Sequence, residues 1–298
     1  MTRIIVHADD FGISKEITRG ILKGCDSHVL SSVSIVPNGS AFEYAIQEIK
    51  KRPYLRVSTH LNFLEGFPVS TTQEIHLLVD KNGKFCHSFV GLWMRYNQSS
   101  IAGKNILKQQ VKTEIKAQIR KVMNALGPHY PMNVDSHNHY HMIPFVFEAL
   151  LELAEELKID YVRIPEERFF WCLGDRHACR AYLGSNIIKH YVLNRLSGRY
   201  KRRLDQLSIQ YPRYFIGVLF SGCMSGEIVK AALKSMEGRQ GIAEVLFHPG
   251  RAQRGELTQW VRGGRFDDYY CSSHRDYELA ELSKPSFRRL IEQYGDSR

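Results

Sequence analysis

Short apolar runs recur along this chain, and several end in charged or imidazole residues just before a helical stretch begins. Arg3 to Ala8 is one such run, stopping at Asp9-Asp10-Phe11-Gly12. Ser14 follows as a helix cap, with Glu16 early and Ile17, Ile21 and Leu22 as apolar positions. Leu30 to Val36 is a second run, and Phe42 to Ile49 reads as the helix after it, ended by Pro53. Leu55 to Phe63 is a third and carries Thr59-His60-Leu61-Asn62 at its end. Tyr161 to Glu166, Tyr214 to Phe220 and Ala243 to Phe247 continue the series, the last running into His248-Pro249-Gly250. Strands separated by helices pair in parallel, so the pattern predicts one α/β domain of about seven strands. In such folds ligands bind at the carboxyl ends of the strands, in barrels and open sheets alike. Charge placed there is therefore a functional signal.

The densest of these ends is Val134 to Pro144, which places His137, His139 and His141 at two-residue spacing after Asp135. In an extended segment, side chains two apart share a face. Crowded imidazoles are costly to bury without partners, and a metal ion is one solution. A surface cluster, or core histidines bonded to carbonyls, is the competing reading.

Two stretches break the rhythm. Residues 65–103 hold Pro68, Asn82-Gly83 and the aromatics Phe85, Phe89, Trp93 and Tyr96, as expected of a lid or binding loop. Residues 167–211 contain a basic helical segment, Ile187 to Leu204, with Lys189, Arg195, Arg199, Lys201, Arg202 and Arg203. A solvated helix face is the default for it, and contact with an anionic membrane surface is the alternative. Elsewhere Lys108 to Leu126 reads as an amphipathic helix stopped by Gly127-Pro128, and Phe145 to Leu157 as a second helix. Ser225 to Met236 reads as a capped helix, Gly263-Gly264 as a loop, and Arg275 to Tyr294 as helical with a break at Pro285.

The chain has 298 residues, 43% of them hydrophobic, which suits a single domain over 1–298 with insertions near 65–103 and 167–211. Lysine and arginine number 41 against 31 acidic residues, a formal charge of +10. That balance suggests anionic partners, but no nucleic-acid-binding motif accompanies it and no nucleic acid is expected to bind; scattered solvated lysines and arginines are the favoured account. Six cysteines, none in Cys-x-x-Cys, read as reduced thiols in a cytoplasmic protein. The N-terminus lacks a signal-peptide pattern, and no run reaches the roughly 18 apolar residues of a membrane span.

Collected at strand ends are Asp9, Asp10, His60, Asp135, His137, Arg163 and His248. One carboxylate with two imidazoles makes a metal site with open positions. A second carboxylate can serve as base, a separate histidine as acid, and an arginine can keep the base ionised. Those are the parts for metal-assisted hydrolysis of an amide or ester.

With these motifs the chain resembles the YdjC/ChbG family of carbohydrate deacetylases. The matching pieces are Ala8-Asp9-Asp10-Phe11-Gly12, Thr59-His60-Leu61-Asn62, Asp135-Ser136-His137-Asn138-His139-Tyr140-His141, Arg163-Ile164-Pro165 and Phe247-His248-Pro249-Gly250, in the family's order. The resemblance implies a (β/α) barrel-like fold and removal of an acetyl group from an N-acetylated amino sugar. It implies a divalent metal, magnesium or zinc, held by Asp10, His60 and His137. Asp9 would be the general base, His248 the acid for the leaving amine, and Arg163 the group orienting Asp9. Asp135, His139 and His141 would then support the site from behind or from the substrate side. One branch of that family is associated with hopanoid lipid biosynthesis, so oligosaccharide and lipid-linked glycan both stand as substrates. A homodimer is also left open. The competing functions are a metal-dependent phosphoesterase and a non-catalytic sugar-binding protein.

Overall fold

The computed structural model describes residues 2–127, 129–172, 178, 181–258, 260 and 268–295. Pro128, Cys179 and Gly263-Gly264 lie outside the described residues, as does part of the 167–211 insertion. Seven strands form one sheet: β1 (Thr2–Phe11), β2 (Ser32–Ile35), β3 (Arg56–Leu61), β4 (Met132–Ser136), β5 (Ile159–Val162), β6 (Tyr214–Ile216) and β7 (Gly241–Phe247). Their order is β5-β4-β3-β2-β1-β7-β6, and every neighbouring pair is parallel. The sheet curls. The Phe215 amide in β6 donates to the Glu166 carbonyl just past β5 at 3.1 Å, drawing the edge strands together. The α/β barrel-like fold expected from the sequence is therefore the one observed.

Strand composition explains the layering. In β1, Val6 and Ala8 join the apolar layer under the helices, while His7 and Asp9 belong to a buried polar interior. The His7 Nε2 lies 2.6 Å from Ser34 Oγ on β2. Helix α1 (Lys15–Cys25) starts where expected, because Ser14 Oγ accepts from the Ile17 amide at 3.2 Å. Its Ile17 and Ile21 pack into the same apolar layer as α2 (Phe42–Lys50). A second apolar cluster joins Leu61 and Val134 to the helices α4 (Ile101–Leu126) and α5 (Pro144–Glu152) through Ile115, Ile119, Phe147 and Leu150.

Several boundaries differ from expectation for identifiable reasons. Helix α4 begins at Ile101 rather than Lys108. Ser100 caps it, and its first apolar residues, Ile101 (81% exposed) and Ile106 (51%), face solvent and so break the amphipathic pattern. The 65–103 insertion contains its own helix, α3 (Phe89–Gln98), capped by Ser88. The fifth and sixth strands are shorter than their apolar runs. The basic segment is helix α6 (Asn186–Gln206), with Leu193, Leu196, Tyr200 and Leu204 buried. Helices α7 (Gly226–Lys234), α8 (Ser273–Leu282) and α9 (Pro285–Tyr294) complete the described set, with Ser225 capping α7 and Pro285 opening α9. No described helix is long and apolar enough to cross a membrane.

Glu167 ties the loop after β6 to the insertion. Its carboxylate accepts from the Gly217 and Leu219 amides at 2.6 and 2.7 Å while fully buried. Burial pushes its carboxyl up to about 7, against the opposing pull of those amides. A raised folded-state value means its stabilisation is complete below the ordinary 4.5 and is lost as pH rises through about 7. The unfolding free energy of the wild type should therefore fall relative to Glu167→Gln by about 1–3 kcal/mol between pH 5 and 9. Denaturant titrations of both proteins across that range check it, and a flat difference contradicts it.

Candidate active site

Strand β1 ends in two consecutive carboxylates that point to different partners. A strand alternates its faces, and Asp10 departs from that alternation by adopting a left-handed backbone, φ 72°. Aspartate tolerates that region better than most residues. Asp9 faces Arg163, whose Nη1 and Nη2 each donate to one Asp9 oxygen at 2.9 Å. Asp10 faces Arg275 of α8, whose Nη1 donates to Oδ2 at 2.8 Å. Both carboxylates are buried. Burial pushes Asp9 up, but Arg163 and then His60 outweigh it and the net direction is down. Asp10 lies well below the ordinary range, because burial pushes it up but the Arg275 guanidinium outweighs that cost.

Arg163 sits at the centre of the interior. Besides Asp9 it donates through Nε to Glu244 Oε1 at 2.6 Å and lies 2.9 Å from Asp135 Oδ2. Three buried carboxylates thus surround one guanidinium. Asp135 in turn lies 2.7 Å from His60 Nδ1. An ionised carboxylate only accepts, so neutral His60 carries its proton on Nδ1 and turns its Nε2 lone pair towards Asp10. Burial pulls His60 down, but Asp9 and Asp135 prevail and raise it, so Nε2 sits where the surrounding carboxylates favour positive charge, whether a proton or a cation.

The expectation of an extended histidine segment fails. Strand β4 ends at Ser136, and His137–Met142 is a 3-10 turn in which Asn138 (φ 50°) and His139 (φ 57°) adopt left-handed conformations. The three imidazoles therefore diverge. His137 Nδ1 lies 3.2 Å from Asp10 Oδ1. His139 reaches the pocket wall, and burial holds it well below its ordinary value. His141 turns inward, with Nε2 2.8 Å from the Arg163 carbonyl and Nδ1 2.5 Å from Ser136 Oγ. Burial pushes His141 down to about 4, so it is a neutral strut that ties the turn to the Arg163 backbone. Successive non-glycine residues in the left-handed region cost about 1–2 kcal/mol each, strain of the kind concentrated at functional sites.

Among the described residues, three His/Asp/Glu groups bring donor atoms within 4.8 Å of one another: Asp10-His60-His137, His7-Asp135-Glu244 and Asp9-His60-Asp135. The carboxylates of the last two groups already hold the Arg163 guanidinium, which supplies their positive charge. The first group is different. Asp10 Oδ1 and His60 Nε2 are buried without a hydrogen-bond partner, 3.9 Å apart, and His137 Nδ1 completes the triangle. Buried acceptors facing one another without a donor fit a divalent cation.

A cavity of about 340 Å³ opens over this cluster, lined in part by Asp9, His137, His139, Lys189, His248 and Glu278. That is room for one sugar-sized ligand. His248 Nε2 is 3.9 Å from Asp9 Oδ2, and its amide donates to Glu278. Burial pushes His248 down to about 4 despite Asp9 and Asp10. Lys189 corrects the reading of the basic helix as a wholly solvated face: it turns from α6 into the cavity, where burial lowers it against the pull of Asp9 and Glu167. Sequence reasoning also missed Arg275, Glu65, Tyr270 and Glu278. Arg275 lies 265 residues from Asp10, and no local pattern signals that pairing.

Fold and site together define a parallel α/β barrel with a buried carboxylate–imidazole cluster beneath a polar pocket at the strand ends, the layout of a hydrolytic enzyme's active centre. The sequence profile of the family described as YdjC-like protein matches residues 3–293, and the chain belongs to that family. Proteins named carbohydrate deacetylase are similar to it. One from Xenopus laevis is 30% identical over 97% of this chain and 94% of its own length. One from Danio rerio is 28% identical over 98% and 95%. A crystal structure from Enterococcus faecalis V583, described as a cellobiose-phosphate cleavage protein, shares the fold with a TM-score of 0.70. It is 21% identical over 99% of this chain and 95% of that one.

Proposed function

We propose that this protein is a metal-dependent hydrolase that removes the acetyl group from an N-acetylated amino sugar. The observation that carries the reading is the pair of partnerless buried acceptors, Asp10 Oδ1 and His60 Nε2, placed beside His137 and next to the Asp9 carboxylate. The names of the full-length relatives support the substrate class. Two imidazoles and one carboxylate form a donor set that suits zinc better than magnesium, which prefers oxygen donors alone. When bound, such an ion polarises a carbonyl and lowers the pKa of water.

The chain's own residues divide the remaining work. Asp9, kept ionised by Arg163, takes a proton from the attacking water. The acetamide carbon then becomes tetrahedral, and Lys189 adds positive charge to the cavity where the oxyanion develops. His248, neutral at rest near pH 7, has its Nε2 3.9 Å from Asp9 Oδ2, too far for direct transfer, so a single water would relay the proton gathered by Asp9 to His248, which passes it to the leaving amine. Acetate and the free amino sugar result. Over a panel of acetylated and phosphorylated sugars, acetate release with no phosphate release is expected. Phosphate release instead would favour the phosphoesterase reading, which lacks support from a second cation position because Arg163 fills the neighbouring carboxylate clusters.

The form of the substrate is suggested by a second groove of about 590 Å³ between α3 and α6. Leu64, Phe89, Trp93, Ile188 and Val192 line it, and it shares Asn138 and Lys189 with the catalytic cavity. This apolar continuation supports a lipid-linked glycan over a soluble oligosaccharide. Exposed Ile188 and Tyr191 beside Arg195 and Arg199 on α6 support contact with an anionic membrane surface. An N-acetylglucosaminide with a long alkyl aglycone should show kcat/KM at least about tenfold above its methyl counterpart, since a few buried methylenes are worth well over 1.4 kcal/mol. Val192→Asp should erase that preference. Equal values for both glycosides would contradict the assignment.

A further inference from the structure

We propose that Glu65 and Tyr270 act together as positioning residues that fix the tautomer of His137, and so present its Nδ1 lone pair to the cation position beside Asp10 and His60. The inference rests on the reading of that cluster as a metal site. It concerns residues from two unrelated parts of the chain: Glu65 opens the 65–103 insertion, and Tyr270 lies just before α8.

The Tyr270 hydroxyl is buried between two neighbours, Glu65 Oε2 at 2.8 Å and His137 Nε2 at 3.0 Å. A hydroxyl has one proton to give. A carboxylate has none, so Glu65 accepts the tyrosine proton. The hydroxyl oxygen then meets His137 as an acceptor, and Nε2 must carry the imidazole proton. That leaves Nδ1 bare, 3.2 Å from the Asp10 Oδ1 that has no hydrogen-bond partner. Two lone pairs face each other across the cluster, and a cation between them resolves the conflict. His60 reaches the same state by the same logic, with Asp135 accepting its Nδ1 proton. Each imidazole is thereby set by a carboxylate behind it, directly for His60 and through a phenol for His137.

Packing keeps the phenol in place. The Tyr270 and His137 rings lie nearly parallel, 21° apart, with centroids 6.2 Å apart, and Trp260 meets both rings edge-on. Glu65 and Tyr270 are both completely buried, so water does not offer the hydroxyl another acceptor. A tyrosine merely filling space would need neither the carboxylate nor this alignment.

The test uses 15N-histidine-labelled protein, freed of metal, at pH 8. Long-range 15N–1H correlation spectra distinguish the two neutral tautomers. The wild type should show His137 protonated at Nε2. Tyr270→Phe retains the ring stack but loses the acceptor, and should give a mixture of tautomers with zinc binding about 10- to 100-fold weaker by calorimetry. Glu65→Gln offers an amide donor as well as a carbonyl and should move both readouts in the same direction, even if Tyr270→Phe fails to fold. A His137 proton found on Nδ1 in the wild type would overturn the proposal. So would wild-type tautomer and zinc affinity in Glu65→Gln. A protein that binds zinc with this ring state yet releases no acetate would instead refute the assigned reaction and leave the proposal standing.

Discussion

Asp9→Asn is expected to fold, to bind metal as the wild type does, and to release acetate on the order of 10²- to 10⁴-fold more slowly. The substitution removes a base without removing a donor from the Asp10-His60-His137 cluster. It also leaves Arg163 paired with Asp135 and Glu244, so the interior retains compensating charge. The loss should fall mainly on kcat, because in the proposed mechanism Asp9 acts as the proton moves rather than as the sugar binds. Metal analysis of the purified variant alongside initial rates checks both halves of the expectation. Near-normal turnover would remove Asp9 from the role of base.

Arg163→Met is expected to destabilise the protein by about 3–5 kcal/mol, with no contact to solvent involved. Arg163 is completely buried, and its guanidinium is the shared counter-charge of Asp9, Asp135 and Glu244. Methionine fills much of the volume but leaves the carboxylates facing one another in a water-poor interior. Some must then take up protons. The penalty should therefore grow as pH rises, since each carboxylate is harder to keep neutral at higher pH. Chemical denaturation at pH 6 and pH 8 reads the difference. A variant as stable as the wild type would show that the interior network is electrostatically neutral to folding. Glu244 is the group already displaced upward by burial, with Arg163 opposing the shift, so it should take up a proton first.

The barrel was legible because parallel strands put all their carboxyl ends on one side. Once Arg3 to Ala8, Leu55 to Phe63 and Ala243 to Phe247 were recognised as strands, Asp9, His60 and His248 had to converge. The histidine segment was misread in its local form for a physical reason. Two-residue spacing predicts a shared face only in an extended chain, and Asn138 and His139 instead turn left-handed. Asparagine is a tolerated residue there, but a histidine beside it gives no warning. The charges behind the site were invisible for a different reason. Arg275 and Tyr270 approach from near the C-terminus, and Glu65 from an insertion whose regular pattern had lapsed. Lys189 looked like one more cation on a basic helix. Its inward turn depends on how α6 rotates against the barrel, with Leu193, Leu196 and Tyr200 buried alongside.

The most direct test of the central claim is product analysis by mass spectrometry after incubating the protein with N-acetylated amino-sugar substrates. It compares protein stripped by a chelator, the same protein reloaded with zinc, and His60→Ala treated identically. Loss of one acetyl group per sugar in the zinc-loaded wild type, absent without metal and absent in His60→Ala, is the predicted result. Full acetate release from the stripped protein, or from His60→Ala without metal, would contradict it.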